Sequence, residues 1–254
     1  MLNTLSYGNS TQLPDLLIVH GLYGSARNWS VISKRMSDSR RVIAVDQRNH
    51  GDSPWFDTHS YLDMAQDLAQ VVEHNGAPMD IVGHSMGGKA VMILALTRPD
   101  LVKRLLVADI APVAYGHDQS QYIQAMQSID LTHMEKRSEV AQALSKHVTD
   151  PALQSFFTQS LDLGNKRWKL NLDVLQRDMN HVLGFPEVTG SFDKPTLFLS
   201  GANSQYVLPD HRPKIKALFP NAVFAKIPNA GHWLHAEQPR AFEQTLRVFF
   251  NDPA

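Results

Sequence analysis

The fold is decided by residues 81–89, which read Ile-Val-Gly-His-Ser-Met-Gly-Gly-Lys. An apolar strand pattern leads into this stretch and a helical pattern over residues 89–97 follows, so Ser85 is the centre of a strand–turn–helix G-x-S-x-G motif. In such a turn the serine backbone is strained, and the flanking positions must be glycine because neighbouring backbone leaves no room for a Cβ. The motif predicts Ser85 as a nucleophile and directs the backbone N–H of Met86 at a developing oxyanion.

A competing interpretation uses the same residues. Gly83 to Lys89 also fits the phosphate-binding pattern G-x-x-x-x-G-K-[ST]. The last position of the pattern argues against a phosphate loop, because Ala90 has no hydroxyl with which to hold Mg²⁺. In addition, no acidic residue at another strand end suits that ion. The phosphate loop is therefore disfavoured, and the alternative to a nucleophile is a glycine-rich turn whose serine is incidental.

The sequence around the motif alternates short β-rich runs with helical patterns, which is typical of a parallel α/β sheet. The runs are largely apolar, as expected for strands covered by helices on both faces. Ser60 and Asp63 form an S-x-x-D start for an amphipathic helix that ends at Asn75 and Gly76. The predicted strands are residues 16–19, 41–45, 79–82, 105–108, 196–199 and 223–227.

The β/α rhythm is interrupted after residue 111. From Pro112 to about Glu187 helical patterns dominate and no convincing strand is found. The rhythm then resumes and closes with a helix over about residues 239–250. We therefore expect an α/β core formed by residues 1–111 and 188–254, with a helical cap inserted at residues 112–187.

Composition excludes several classes of protein. The chain has 254 residues, 24 basic against 25 acidic side chains, 43% hydrophobic residues and no cysteine. The length and hydrophobic content indicate one folded domain with an insertion. The balanced charge provides no basic surface for nucleic acid. The absence of cysteine excludes disulfides, thiolate metal sites and a cysteine nucleophile.

Membrane insertion and metal binding are not indicated either. The longest apolar run, residues 90–96, is far shorter than the about 20 residues that span a bilayer, so we expect no transmembrane helix. Residues 1–15 contain no recognisable secretory signal or transit peptide, which favours a cytoplasmic protein. The 12 histidines include no H-E-x-x-H pattern. We predict neither a metal nor another cofactor.

Two further segments supply partners for Ser85. His20-Gly21-Leu22-Tyr23-Gly24 directly follows the first predicted strand and can provide a second oxyanion donor, the backbone N–H of Leu22. His232 lies in the loop between the last predicted strand and the last helix, within reach of the end of the sheet. A serine hydroxyl is a weak nucleophile, so an imidazole must take its proton and later deliver it to the leaving group. We predict His232 as that base.

Together these motifs make the chain resemble the α/β-hydrolase superfamily over nearly its whole length. The resemblance includes residues 46–53, Asp-Gln-Arg-Asn-His-Gly-Asp-Ser, a form similar to that of small bacterial acyl-ester and thioester hydrolases. Many of those relatives have glycine at the position of Asn49. The resemblance implies a mostly parallel central sheet with a helical cap, and it implies structural rather than chemical roles for Asp46 and Arg48.

The resemblance also implies a catalytic carboxylate, but the usual position has none. Most members carry it after the next-to-last strand, where this chain has residues 200–206, Ser-Gly-Ala-Asn-Ser-Gln-Tyr. Three candidates remain: Asp210, Asp173 and Asp109. We favour Asp109 because it ends the strand after the nucleophile strand, where haloalkane dehalogenases are similar in placing their acid. The alternative role for Asp109 is a capping residue at the entrance to the insertion.

The expected activity is a two-step hydrolysis of a small acyl ester or thioester by Ser85, His232 and Asp109, with the N–H groups of Leu22 and Met86 as the oxyanion hole. Hydrolases of C–C bonds and cofactor-free haloperoxidases or perhydrolases use the same triad and remain alternatives. A ligand-binding or scaffold protein on the same core is a third. Apolar side chains of the insertion are expected mainly in its own core. Acyl-chain length and oligomeric state are not predicted.

Overall fold

A computed structural model describes residues 1–76, 78–116 and 119–251. Within these residues the strands form a seven-stranded sheet in the order β1-β3-β2-β4-β5-β8-β9 and a separate two-stranded hairpin, β6-β7. Only β1 runs antiparallel in the large sheet. The strands are β1 (Thr4–Tyr7), β2 (Leu16–Val19), β3 (Val42–Val45), β4 (Met79–His84), β5 (Val102–Ala108), β6 (Leu161–Asp162), β7 (Arg167–Trp168), β8 (Thr196–Gly201) and β9 (Ala222–Ile227).

Helices cover both faces of the sheet, and the two faces carry separate hydrophobic cores. Every residue of β2, β3, β4 and β8 is buried, which explains why these strands read as continuous apolar runs. The helices are α1 (Ser30–Met36), α2 (Tyr61–Asn75), α3 (Met86–Thr97), α4 (Ser120–Gln127), α5 (Arg137–Leu144), α6 (Pro151–Thr158), α7 (Leu172–Arg177), α8 (Met179–Leu183), α9 (Arg212–Leu218), α10 (Leu234–Glu237) and α11 (Pro239–Asn251). None of them is long and apolar enough to span a membrane.

The parallel register brings three loops to one edge of the sheet. His84, the last residue of β4, pairs with Ala108 at the end of β5, and Ala108 pairs in turn with Leu199 in β8. The residues that follow these strands therefore lie side by side at their carboxyl ends, where α/β sheets bind ligands. Ser85 and Asp109 are the first residues beyond β4 and β5.

The predicted start of α2 is confirmed. The Ser60 hydroxyl accepts the Asp63 N–H at 3.2 Å, and Asp63 bonds back to Ser60. The helix ends at Gly76, whose φ of 90° is a left-handed conformation that favours glycine. Local capping chemistry thus fixes both ends of this helix.

Three features differ from the sequence prediction. β1 was not predicted, because it is a half-exposed edge strand with no apolar run. β5 begins at Val102 rather than Leu105, since exposed Lys103 and the ion-paired Arg104 interrupt its apolar pattern. Within the insertion, the expectation of no strand is wrong for the hairpin β6-β7, whose two-residue strands are too short to produce a pattern.

Candidate active site

Ser85 forms a strained turn between β4 and α3. Its φ of 52° and ψ of −121° lie outside the regions that residues with a Cβ usually adopt. A Cβ at Gly83 would lie 2.4 Å from the Gly87 carbonyl oxygen, and one at Gly87 would lie 2.4 Å from the His20 carbonyl oxygen. Both glycines are therefore required by close backbone approach, and the strand–turn–helix predicted around Ser85 is confirmed.

Ser85, His232 and Asp109 form one hydrogen-bonded chain. His232 Nδ1 lies 2.7 Å from Asp109 Oδ2, and His232 Nε2 lies 3.1 Å from Ser85 Oγ. Because a carboxylate only accepts, the proton of the neutral ring belongs on Nδ1. Nε2 is then the acceptor for the serine hydroxyl, which is the geometry that a general base needs.

The other two candidate acids lie elsewhere. Asp173 is exposed on α7 and accepts a hydrogen bond from Gln127. Asp210 is exposed in a short 3₁₀ helix, Pro209–His211. The structure thus brings Asp109, and neither of these two, to His232.

Asp109 is fully buried and accepts two further hydrogen bonds, one from the last residue of β8 and one from the loop after it. The Gly201 N–H donates to Oδ1 at 3.1 Å, and the Ser204 hydroxyl donates to Oδ2. Sequence reasoning missed Ser204. The available signal was the loop itself, which occupies the usual position of the acid and carries hydroxyls instead of a carboxylate.

Two side chains hold the His232 ring and its backbone. Tyr206 stacks on the imidazole with ring centroids 4.0 Å apart, and burial raises the pKa of this phenol to about 12, so it stays neutral. His84 Nε2 donates to the His232 carbonyl at 2.8 Å, and burial places the pKa of His84 well below its usual range. Neither role was predicted, because both depend on contacts across more than 20 residues of chain.

The loop of residues 20–24 packs directly on the turn at Ser85 and, after the role predicted for it, is called the oxyanion loop below. A Cβ at Gly21 would lie 3.1 Å from Ser85 Cβ, so only glycine fits there easily. The hydrogen bonds among the described residues include none donated by the backbone N–H of Leu22 or Met86. Their role as oxyanion donors beside Ser85 stays a prediction.

Tyr23 links the oxyanion loop to the insertion. Its backbone is left-handed, with a φ of 64°. Its hydroxyl donates to the Gln119 carbonyl at 2.9 Å, and its carbonyl accepts from the Ser160 hydroxyl at 3.0 Å. Its ring makes an edge contact with Phe157 at 5.5 Å. Three separate contacts therefore join this loop to the insertion.

A cavity of about 210 Å³ adjoins Ser85. Its wall is largely aromatic and apolar, and both the core and the insertion contribute to it. The insertion supplies Tyr115, Tyr122, Leu153, Phe156, Phe157, Val182 and Leu183. The cavity can therefore hold an apolar group against the hydroxyl of Ser85.

Lys89 is engaged by the chain itself rather than free for a phosphate. Its ammonium donates to the carbonyls of Leu183 at 2.9 Å and Gly184 at 2.5 Å, at the end of α8. Burial lowers the pKa of Lys89 to about 7. Among the described residues no group of three or more His, Asp or Glu side chains is placed to hold a metal ion.

Comparison with known proteins gives a consistent result. The alpha/beta hydrolase family matches residues 16–245. The sn-1-specific diacylglycerol lipase ABHD11 of Mus musculus is 40% identical over 253 residues, covering 95% of this chain and 82% of that protein. Esterase YbfF of Escherichia coli (strain K12) is 35% identical over 241 residues, covering 93% of each chain.

A solved structure described as a marine microorganism esterase has the same fold. It superimposes with a TM-score of 0.92 at 37% sequence identity and covers 98% of both chains. The similarity therefore extends over the sheet and over the inserted helices.

Proposed function

This chain belongs to the alpha/beta hydrolase family and is a carboxylic ester hydrolase, and on that premise we propose that it cleaves small esters or thioesters through an acyl-enzyme intermediate. The observation that carries the proposal is the hydrogen-bonded chain from Asp109 through His232 to Ser85. In this proposal Ser85 is the nucleophile and His232 is the general base. Asp109 orients the imidazole and stabilises its charged form.

In the first step Ser85 Oγ attacks the acyl carbonyl carbon while His232 Nε2 takes the hydroxyl proton. Negative charge develops on the carbonyl oxygen, which the N–H groups of Leu22 and Met86 stabilise. Each such donor contributes about 3 kcal/mol. The imidazolium then protonates the leaving group, which departs as an alcohol or a thiol.

In the second step a water molecule attacks the acyl carbon of the intermediate. His232 Nε2 takes a proton from that water, and the same two N–H groups stabilise the second oxyanion. The bond to Ser85 Oγ then breaks, and His232 returns the proton to the serine. The products are a carboxylic acid and the regenerated enzyme.

We assign residues 112–187 the role of a cap over Ser85. The cap contributes aromatic side chains to the cavity, and the oxyanion loop is bonded to it through Tyr23. A cavity of about 210 Å³ is smaller than the roughly 300–1,000 Å³ of sites for drug-sized ligands, which favours a small acyl group. The diacylglycerol named for one relative supports an uncharged ester as the substrate class.

The direct test is Ser85→Ala with p-nitrophenyl butyrate as substrate. We expect kcat/KM to fall at least about 10⁴-fold, because the nucleophile is lost, while circular dichroism and Tm are retained. Ser33→Ala is the matched control, since Ser33 is a buried serine of α1 that does not line the cavity. It should keep parental turnover.

Covalent labelling supplies a second readout. A fluorophosphonate should add one adduct to the parent protein, detected by intact mass, and none to Ser85→Ala. Persistent turnover by Ser85→Ala would rule out the serine mechanism. A panel of p-nitrophenyl and acyl-coenzyme A esters of graded length then distinguishes esters from thioesters and measures the preferred acyl length.

A further inference from the structure

Residues 46–53, called the Asp46 turn below, contact the oxyanion loop although the proposed mechanism does not use them. Asp46 Oδ1 accepts the Ala26 N–H at 2.7 Å, just beyond the loop. A Cβ at Gly51, whose φ is 58°, would lie 2.3 Å from the Asp46 carboxyl carbon, so the turn is tightly closed around this side chain. The rest of the turn reaches the loop on both sides of Leu22.

On the first side, Gln47 fixes His20. The Gln47 N–H donates to His20 Nε2 at 2.9 Å, so the ring proton lies on Nδ1, and this Nδ1–H donates to the Gly21 carbonyl at 2.8 Å. Gln47 Nε2 also donates to the His20 carbonyl at 2.7 Å. The Gly21 carbonyl and the Leu22 N–H belong to one planar trans peptide and point in opposite directions. Fixing the carbonyl therefore fixes the direction of the oxyanion donor.

On the second side, His50 fixes the orientation of the peptide between Leu22 and Tyr23. His50 Nε2 accepts the Tyr23 N–H at 3.2 Å, and its Nδ1–H donates to the Arg48 carbonyl at 2.9 Å. The ring is fully buried, and burial holds the pKa of His50 well below its usual range. His50 therefore remains a neutral acceptor. The peptides before and after Leu22 are both oriented by neutral imidazoles.

The side-chain amide of Gln47 is only partly hydrogen-bonded. Its Oε1 atom is buried and has no hydrogen-bond partner among the described residues. Burying an unpartnered polar atom costs about 1–3 kcal/mol, which an apolar side chain of similar length would avoid. The amide nitrogen, by contrast, donates to the His20 carbonyl of the oxyanion loop.

We propose that the Asp46 turn sets the geometry of the oxyanion hole, with His50 and Gln47 as positioning residues for the Leu22 N–H. The inference rests on the proposed function, because it assigns Leu22 as an oxyanion donor. Neither residue lines the cavity beside Ser85, and both side chains bond to the backbone of the oxyanion loop.

The first test compares His50→Asn with His50→Gln. Gln can place an oxygen where Nε2 accepts from Tyr23, whereas Asn is too short to do so. Using p-nitrophenyl butyrate and fluorophosphonate titration of active sites, we expect His50→Asn to lose about tenfold or more in kcat per site, with KM unchanged. The inhibition constant of a trifluoromethyl ketone, whose hemiketal is an oxyanion, should rise in proportion. His50→Gln should retain most of both properties.

The second test is Gln47→Met, which keeps the chain length and removes the amide. Loss of the bond to the His20 carbonyl should lower kcat by about tenfold. The unpartnered oxygen disappears while the His20 carbonyl loses its donor, so the two effects on Tm oppose each other and we expect only a small change in Tm. A merely structural role would lower Tm and kcat together. Gln47→Met therefore tests the positioning role of the Asp46 turn even if His50→Asn does not fold.

The outcomes separate this inference from the proposed function. If both His50→Asn and Gln47→Met match the parent in kcat per site and in ketone affinity, the positioning role is refuted while the serine mechanism stands. An equal loss in His50→Gln and His50→Asn also refutes it. A parent protein without ester turnover would instead contradict the proposed function, and this inference with it.

Discussion

Asp109 is a buried carboxylate that, among the described residues, is bonded to His232 but to no Lys or Arg side chain. A charge in such a place is tolerated only when hydrogen bonds replace its lost hydration. Gly201, Ser204 and His232 supply donors to its two oxygens. The loop that usually carries the acid in this family thus provides donors to an acid that comes from β5. The catalytic histidine can therefore contact a carboxylate whether the acid follows the next-to-last strand, as is usual, or follows β5, as Asp109 does here.

The residue-scale prediction concerns the identity of this acid. Asp109→Asn should lower kcat by about 10³- to 10⁴-fold, because an amide no longer fixes the imidazole tautomer or stabilises the imidazolium. Asp173→Asn and Asp210→Asn serve as controls on exposed carboxylates and should keep parental kcat. The measurement is turnover of p-nitrophenyl butyrate per fluorophosphonate-titrated site. Parental turnover by Asp109→Asn would mean that another group supports His232.

Some residues of the site could be predicted from the sequence and others could not. Ser85 and His232 lie in short motifs whose spacing reflects local backbone demands. Asp109 required one further argument, that carboxyl ends of adjacent parallel strands share an edge. Ser204 and His84 act through partners more than 90 residues away, and a single sequence does not encode such pairing locally.

The turn between β4 and α3 leaves little room for an added side chain. We predict that Gly83→Ala lowers the free energy of unfolding by at least about 2 kcal/mol, because the added Cβ would lie 2.4 Å from the backbone of Gly87. Urea unfolding gives the value. Gly164→Ala is the control, since its Cβ would meet only Asp162 Oδ1, at 3.6 Å. Equal stabilities of the two variants would contradict the close-approach explanation.

Buried elements were predictable because burial on both faces produces apolar runs. β2, β3, β4 and β8 are examples, and capping residues located the ends of α2. The edge strand β1 and the hairpin strands β6 and β7 contain no apolar run of this kind. β1 pairs with β3 on one side only, and β6-β7 is fixed by a few contacts within the insertion. Their existence depends on neighbours rather than on their own composition.

At the scale of the whole molecule, Lys89 joins the core to the insertion. It lies one helical turn after Ser85, and its ammonium contacts the carbonyls that end α8. The cation also lies over the Tyr115 ring, 4.8 Å from its centroid. The sequence identified Lys89 only as part of a phosphate-loop pattern, because the carbonyls it meets are more than 90 residues away.

This buried cation predicts a dependence of stability on pH. The pKa of Lys89 is about 7 in the folded protein against an ordinary value of 10.5, so between these values the unfolded chain binds the extra proton. Stability should therefore rise with pH in this window, by up to about 1.4 kcal/mol per pH unit. Urea unfolding at pH 7.5 and 9.5 measures the slope while the buried tyrosines are still neutral.

Lys89→Met is the variant that isolates this effect. It should lose the rise in stability between the two pH values, since Met carries no titratable group. Lys103→Met, at an exposed position of β5, is the control and should keep the parental slope. An identical slope in the parent and in Lys89→Met would assign the dependence to other groups.

Tyr23 has a consequence for how substrates are told apart. It directly follows Leu22, the proposed oxyanion donor, and its hydroxyl, carbonyl and ring contact Gln119, Ser160 and Phe157 of the insertion. We therefore expect a displacement of the insertion to shift the proposed oxyanion donor, which is only one residue away. A poorly fitting acyl group that shifts those helices should bind and then react slowly. Discrimination among esters would then be found in kcat more than in KM.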